Sequence, residues 1–312
     1  MSLARWAFNI RQPLLLENIE PLVTSLTDDD DCDRVNIVPL SNLLNFLPKT
    51  ESDGLLQFRL EDDMRRALIA RLMIHAFFTA HHNCQWEALV FDCSDLEKPV
   101  LLSPEHLMNV SFNITHHGDW VILVGETNSS ADSLVRLGVD VMDFQEHNPG
   151  EPFNYSSSLQ DQFTPKEMVF MTEATTDTES SSQASCASTE KSQQLRRFYR
   201  LWCLKESIVK ALDVAEDFNL KSIELTIQDE QETEKPILST MVEVHEPKPE
   251  ILPEEGWSFE EALLDEDHCY AIAAQTEPEV DATSILDGSE IRRFDWKELL
   301  KDAVPYPVHP SL

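Results

Sequence analysis

The spacing of apolar and polar side chains predicts a mixture of amphipathic helices and short strands. Apolar positions three and four residues apart predict a helix over residues 61–78 and a more regular one over residues 195–212. Alternating or turn-bounded apolar runs predict strands at residues 5–10, 86–91, 99–102, 110–115, 120–124, 137–142, 221–227, 257–260 and 270–274. Because these helices and strands do not alternate strictly, the pattern favours the α+β class with mainly antiparallel strands.

Two stretches interrupt this pattern. Residues 125–132 are small and polar, as is typical of a linker, and residues 171–194 are rich in Ser, Thr and Glu with little to bury. We expect the second stretch to be a disordered acidic insertion. A length of 312 residues corresponds to about two domains.

The charge balance narrows the classes of partner. There are 24 basic and 57 acidic side chains, so the formal net charge of -33 opposes binding to a phosphate backbone, and no nucleic acid partner is expected. The seven glycines form no Gly-rich phosphate loop, so phosphate would have to be held by other groups. The six cysteines show no C-x-x-C pairing, and no run of about 18 apolar residues occurs. We therefore predict a cytoplasmic protein with free thiols and no membrane partner.

Candidate chemistry centres on the helix at residues 195–212 and on one acid in an apolar strand. Glu206 and Lys210 lie four residues apart on roughly the opposite side from the apolar stripe, with Tyr199 and Cys203 beside them. This face is typical of a cleft that holds a metal and a phosphate, although a surface ion pair would give the same spacing. Asp140 is costly to bury unless it is paired or coordinated, so it is a candidate metal ligand, a cap or one half of a buried salt bridge.

Three motifs occur in an order that resembles the 4′-phosphopantetheinyl transferase family. The segment 138–140 reads Gly-Val-Asp, and the segment 202–210 reads Trp-Cys-Leu-Lys-Glu-Ser-Ile-Val-Lys. The third motif, at 113–116, reads Asn-Ile-Thr-His and is followed by Gly118 and Asp119. Further short segments, at 71–74, 163–167 and 257–261, are similar to the eukaryotic long-chain branch of that family.

The resemblance implies a fold, an activity and a set of partners. The expected fold is a pseudo-twofold arrangement of two similar α+β halves, residues 1–132 and 133–312, with the active site in the cleft between them. The expected reaction transfers 4′-phosphopantetheine from coenzyme A to a serine of an acyl or peptidyl carrier protein and releases 3′,5′-ADP. Mg²⁺ is the expected cofactor. A pseudo-dimer within one chain also implies a monomer.

The resemblance also assigns roles at the reacting end of coenzyme A. Asp140 and Glu206 would be magnesium ligands, and His117 is a further candidate ligand. Glu206 would in addition accept the proton of the carrier serine, either directly or through a metal-bound water. Lys210 would neutralise the pyrophosphate, and Lys205 would assist it.

The coenzyme itself would be bound by a second set of residues. His116 matches the family's contact to the 3′-phosphate region, with Thr115 in place of the usual serine. The other expected coenzyme contacts are Lys98, Arg65, Arg66, Arg71 and Lys210. The chain departs from the family at residues 93–99, where Asp95 and Glu97 replace basic residues.

Two alternatives to the transferase stay open, the first motivated by Asp95 and Glu97 and the second by the acidic insertions. One is a coenzyme A or carrier-protein binding module of the same fold with weakened turnover. The other is an interaction protein whose acidic insertions carry the function. The presence of Asp140, Glu206 and Lys210 together favours the enzyme.

Overall fold

The computed structural model describes residues 2–15, 39–93, 98–128, 135–146, 161–172, 183–214, 218–228, 233–277 and 285–306. The chain forms two compact units. The N-terminal unit contains Ser2–Val110, Ile114–Ala131 and Ile291–Leu312, and the C-terminal unit contains Ser111–Asn113 and Asp132–Glu290. The last residues of the chain thus group with the first ones.

The N-terminal unit is built on a four-stranded sheet with the order β11-β1-β5-β4. Its strands are β1 (Leu3–Asn9), β4 (Phe112–His117), β5 (Trp120–Glu126) and β11 (Arg292–Phe294). The first two residues of β4, Phe112 and Asn113, group with the C-terminal unit. Strand β1 pairs antiparallel with β5 and parallel with β11. A separate hairpin joins β2 (Val90–Cys93) to β3 (Pro99–Ser103).

Three α-helices belong to the described part of this unit. They are α1 (Lys49–Leu55), α2 (Glu61–His82) and α5 (Trp296–Leu299). Helix α2 buries Leu68, Leu72 and Phe78 on the apolar stripe that the sequence predicts. It lies so close to β5 that a β-carbon at Gly125 would overlap the ring of Phe77. Any larger residue at position 125 would have to displace the buried ring of Phe77.

The C-terminal unit is built on a three-stranded antiparallel sheet with the order β6-β10-β9. Its strands are β6 (Arg136–Asp143), β9 (Trp257–Leu263) and β10 (His268–Gln275). Two helices, α3 (Pro165–Thr172) and α4 (Gln183–Leu212), and a hairpin of β7 (Ile223–Thr226) and β8 (Met241–Val244) complete it. Leu201, Leu204, Ile208 and Leu212 of α4 are all buried, as the apolar stripe predicts.

These elements confirm the α+β class. They also show where the pattern is wrong, because residues 86–88 form a short 3-10 helix and the strand begins only at Val90. Trp86 is buried there and its indole nitrogen donates to the carbonyl of Phe46, so burial of one aromatic side chain gives the apolar signal without a strand. The pseudo-twofold relation of the halves stays a prediction.

The predicted insertion at residues 171–194 is described only in part. Helix α3 runs to Thr172, residues 173–182 lie outside the described residues, and α4 begins at Gln183. Residues 183–194 are therefore helical where the sequence analysis expects disorder. This stretch contains alanine, glutamine, glutamate and lysine, which have high helix propensity and extend the amphipathic helix that follows.

None of the helices in the described ranges combines the length and the hydropathy that a membrane span requires.

Candidate active site

Helix α4 and strand β6 lie in direct backbone contact. A β-carbon at Gly138 would overlap the carbonyl oxygen of Ser207 and would lie 2.5 Å from the backbone nitrogen of Ala211. Only glycine allows this approach. Because side chains two residues apart on a strand share a face, Asp140 points to the same side of the sheet as Gly138, toward the helix.

Asp140 and Lys210 meet at this contact. The Lys210 ammonium Nζ donates to Asp140 Oδ1 over 2.5 Å, and the side chains of Lys210 and Asp140 are 31% and 6% exposed, respectively. The salt bridge explains how an acid is accommodated in an apolar strand. It also joins the first two motifs of the sequence analysis in one place, with a partly exposed cation beside a buried carboxylate.

Glu206 lies one helical turn before Lys210 on α4 and is half-buried. Its expected neighbours Tyr199 and Cys203 are buried in the core, so they do not line a cleft, contrary to the prediction. Burial is the main cause that raises the pKa of the Cys203 thiol, and a hydrogen bond with Cys269 and the nearby Asp140 raise it further. Cys203 is therefore a protonated core residue and not a thiolate ligand.

Lys205 points away from Lys210 into the interior. Its fully buried ammonium lies 2.9 Å from Glu167 Oε2, and it donates to the carbonyls of Leu220 (2.9 Å) and Ile223 (2.7 Å). Burial lowers the pKa of Lys205, and the charge of Glu167 opposes that shift. With every donor direction used inside the protein, this geometry favours a structural role over the predicted help at the pyrophosphate.

The residues present fit a hard divalent cation. Asp140 and Glu206 offer carboxylate oxygens, which are the ligands that Mg²⁺ prefers, and Mg²⁺ typically takes only one or two carboxylates while phosphate and water complete its shell. Within the described ranges, the group of three ligand-type side chains with ligand atoms within 4.8 Å of one another is Glu224, Glu243 and His245, on or beside the β7–β8 hairpin. Lys166 already pairs with Glu224 there at 3.1 Å, and none of these residues is a predicted ligand.

Apart from Lys210, the expected coenzyme contacts lie in the N-terminal unit. Thr115 is buried and His116 exposed at the end of β4, and His117 is half-buried next to them. Lys98 directly precedes β3 and is half-buried. His117 thus belongs to a different unit from Asp140 and Glu206, and its role as a metal ligand stays a prediction.

The three predicted arginines of α2 are engaged within their own unit. Arg65 donates to the carbonyl of Ile10 (3.1 Å) and pairs with Glu61, and Arg66 donates to the carbonyl of Gly118 (2.8 Å) and pairs with Asp63. Arg71 lies 3.9 Å from Glu51. Their side chains are only 18% to 23% exposed, so much of their donor capacity is directed at the protein.

The sequence assigned no role to two residues that contact the site residues or their neighbours in the structure. Asn113 is buried, and its Oδ1 accepts from the backbone nitrogen of Val139, next to Asp140. Glu167 is the buried partner of Lys205, and it also accepts from the nitrogens of Thr164 and Leu225. Both lie in motifs that were recognised, but only the fold shows which strand or helix each side chain reaches.

Replacing Gly138 by alanine should destabilise the fold by roughly 1–3 kcal/mol, because α4 must move away from β6 to admit a methyl group. The same movement displaces Lys210 from Asp140 and lowers any activity that depends on the pair. Urea unfolding measures the first effect. Gly54→Ala is the matched control, since a β-carbon at Gly54 in α1 meets nothing within 4 Å and alanine should hold or improve stability. Equal stability of both variants would contradict the close approach.

Comparison with known proteins places both units in one group. A family model described as 4′-phosphopantetheinyl transferase, N-terminal, matches residues 38–128, and the model of the 4′-phosphopantetheinyl transferase superfamily matches residues 136–273. The second range contains Asp140, Glu206 and Lys210.

Several curated proteins are similar over most of the chain. A phosphopantetheinyl transferase of Thraustochytrium sp. is 25% identical over 254 residues, which cover 81% of this chain and 76% of that protein. The L-aminoadipate-semialdehyde dehydrogenase-phosphopantetheinyl transferases of Mus musculus and Homo sapiens are 27% and 28% identical over 275 residues, covering 84% of this chain and 80% of each protein.

Proposed function

Since the chain belongs to the 4′-phosphopantetheinyl transferase family, we propose that it transfers 4′-phosphopantetheine from coenzyme A to a serine of an acyl or peptidyl carrier protein. The observation that carries the proposal is the 2.5 Å salt bridge between Lys210 and Asp140, which unites two family motifs on α4 and β6. In the reaction the serine oxygen forms a bond to phosphorus. The bond between that phosphorus and the bridging oxygen breaks, and 3′,5′-ADP leaves.

The acidic side chains of the C-terminal unit have two tasks in this proposal. Asp140 and Glu206 hold Mg²⁺, which when bound stabilises the negative charge of the pyrophosphate. Glu206 is half-buried on α4, and its carboxylate accepts the proton that the serine hydroxyl loses. Asp140 is fixed by β6 and by Lys210, so its carboxylate is oriented before substrate arrives.

Lys210 is the cation for the leaving group. Its side chain is 31% exposed, so the ammonium is accessible to substrate while one of its donors stays on Asp140. As the phosphorus–oxygen bond breaks, negative charge grows on 3′,5′-ADP, and a fixed ammonium stabilises that charge more in the transition state than in the ground state. The N-terminal unit supplies His116, Thr115 and Lys98 for the coenzyme.

Release of 3′,5′-ADP tests the proposal directly. We expect the protein, coenzyme A and Mg²⁺ to release this nucleotide in proportion to added apo carrier protein, as measured by ion-exchange chromatography. A carrier whose acceptor serine is replaced by alanine should give none. Release that does not depend on that serine would instead indicate hydrolysis of coenzyme A.

The carrier systems served are proposed from the relatives. Two of them are named for L-aminoadipate-semialdehyde dehydrogenase, so we propose a carrier domain of an aminoadipate-reducing enzyme of lysine metabolism as a substrate, with fatty-acid and polyketide carriers as further ones. The cytoplasmic location, the monomeric state and the absence of nucleic acid and membrane partners stay predictions. No observation favours the weakened binding module or the acidic interaction protein.

A further inference from the structure

The turn between β4 and β5 carries His116, one of the predicted coenzyme contacts. It contains the last two residues of β4, His116 and His117, followed by Gly118 and Asp119, and we call these residues the histidine turn. Gly118 has a φ of 53°, in the left-handed region that favours glycine. His116 is exposed, and the backbone of the turn sets where its α-carbon lies and in which direction its side chain leaves the chain.

Two arginines from neighbouring elements donate to this turn, one to its backbone and one to the side chain of Asp119. Arg66 Nη1 on α2 donates to the carbonyl of Gly118 over 2.8 Å. Arg11 Nε, just after β1, donates to Asp119 Oδ1 over 2.7 Å, and the backbone nitrogen of Ile10 donates to the carbonyl of Asp119 over 2.8 Å. Both residues after the histidines are therefore fixed from outside the hairpin.

Each arginine is in turn fixed by an acid in the first turn of α2. Arg66 Nη2 lies 2.5 Å from Asp63, and Arg11 Nη1 lies 2.9 Å from Asp62. A planar guanidinium bridges two acceptors in fixed directions, which a lysine cannot reproduce. The helix N-terminus, the end of β1 and the histidine turn are thus joined by two bridges of the same kind.

Arg66 is poorly suited to bind a phosphate itself. Its side chain is 18% exposed, and its two terminal nitrogens are directed at Gly118 and Asp63. The carboxylate of Asp63 compensates the positive charge and repels an approaching anion. Arg66 thus directs its donors into the protein, whereas His116 is exposed. The two residues therefore have different environments, although both are predicted coenzyme contacts.

We propose that Arg66, supported by Arg11, is a positioning residue that fixes the histidine turn and so places His116 for the 3′-phosphate end of coenzyme A. This inference rests on the proposed function. Arg66 then contributes to the affinity for coenzyme A only when His116 is present. A direct phosphate ligand would contribute whether or not His116 is present.

A double-mutant cycle on product affinity tests the inference. Calorimetric titration with 3′,5′-ADP should show about tenfold weaker binding for Arg66→Met, as expected for loss of a charge-assisted hydrogen bond. In the His116→Ala background the same substitution should change the dissociation constant less than about twofold. With coenzyme A as substrate, Arg66→Met should raise KM while kcat at saturation stays within about twofold of wild type, a division that general loss of folding would not produce.

Two further variants serve as a second test of the bridges and as a control for loss of positive charge. Arg11→Met removes the other bridge at a side chain that is 52% exposed, so it should fold normally and weaken 3′,5′-ADP binding in the same His116-dependent way. Arg59→Met removes a positive charge from an exposed position outside the bridges and should leave the affinity unchanged.

The outcomes separate the two proposals. An undiminished effect of Arg66→Met in the His116→Ala background would overturn the positioning role and make Arg66 a direct ligand. Wild-type affinity in both Arg66→Met and Arg11→Met would also overturn it, while transfer by the wild type would leave the proposed function intact. A wild type that binds no 3′,5′-ADP and releases none from coenzyme A would overturn both.

Discussion

Replacing Asp140 by asparagine is expected to lower kcat/KM for the carrier protein about a hundred- to a thousandfold. The substitution keeps the shape of the side chain but removes the charge that pairs with Lys210 and that, in the proposed function, holds Mg²⁺. In that proposal both cations stabilise negative charge in the transition state. The free energy of unfolding should change by no more than about 1 kcal/mol, because Lys210 is 31% exposed and can be solvated by water. Initial rates with limiting carrier, together with urea unfolding, measure both quantities.

Asp143→Asn is the matched control for that variant. Asp143 lies on the same strand, is 20% exposed and is 3.7 Å from His268, outside the candidate site. Its replacement should leave the rate within about threefold of wild type. Wild-type activity of Asp140→Asn, or an equal loss in both variants, would contradict the role given to Asp140.

Replacing Lys205 by methionine is expected to reduce the free energy of unfolding by about 3–5 kcal/mol. The variant leaves the buried Glu167 carboxylate without its ammonium and the carbonyls of Leu220 and Ile223 without a donor. Such a loss is a large part of the stability of an ordinary domain. The variant should lose its folded state at a much lower urea concentration, while the protein that stays folded at low temperature should keep a kcat near that of wild type.

Lys166→Met provides the comparison for this experiment. Lys166 is next to Glu167 in the chain, but it is 54% exposed and its ion pair with Glu224 is screened by solvent, so its loss should leave the urea midpoint close to that of wild type. If Lys205→Met instead unfolds like wild type and loses turnover at saturating substrate, Lys205 acts at the pyrophosphate as the sequence resemblance implies. That result would contradict the structural role.

The parts of the fold that sequence predicts best are those that repeat a local period. The apolar stripe of α4 and the apolar strand around Asp140 are correct because burial of one helix face and of a central strand leaves a periodic signal. Short elements leave no such signal. Helix α5 has only 4 residues, and β11 forms its parallel pairing with β1 across nearly the whole chain.

The same limit applies to the candidate site. A partner for Asp140 could be anticipated, since an acid in an apolar strand needs one, but the sequence did not identify Lys210 as that partner. The burial of Lys205 could not, because neighbouring lysines on a helix give no sign of which one finds an acid such as Glu167 inside the protein. Likewise, the bridges from Arg66 and Arg11 to the histidine turn depend on tertiary contacts between distant segments.

The most direct test of the central claim is the intact mass of an apo carrier protein after incubation with this protein, coenzyme A and Mg²⁺. We predict that the carrier mass increases by one phosphopantetheinyl group on the acceptor serine. The increase should be nearly complete with the wild type and with Asp143→Asn, and absent or very slow with Asp140→Asn and Glu206→Gln. An unchanged carrier mass with the wild type across aminoadipate-reducing, fatty-acid and polyketide carriers would contradict this prediction, as would an undiminished gain with both site variants.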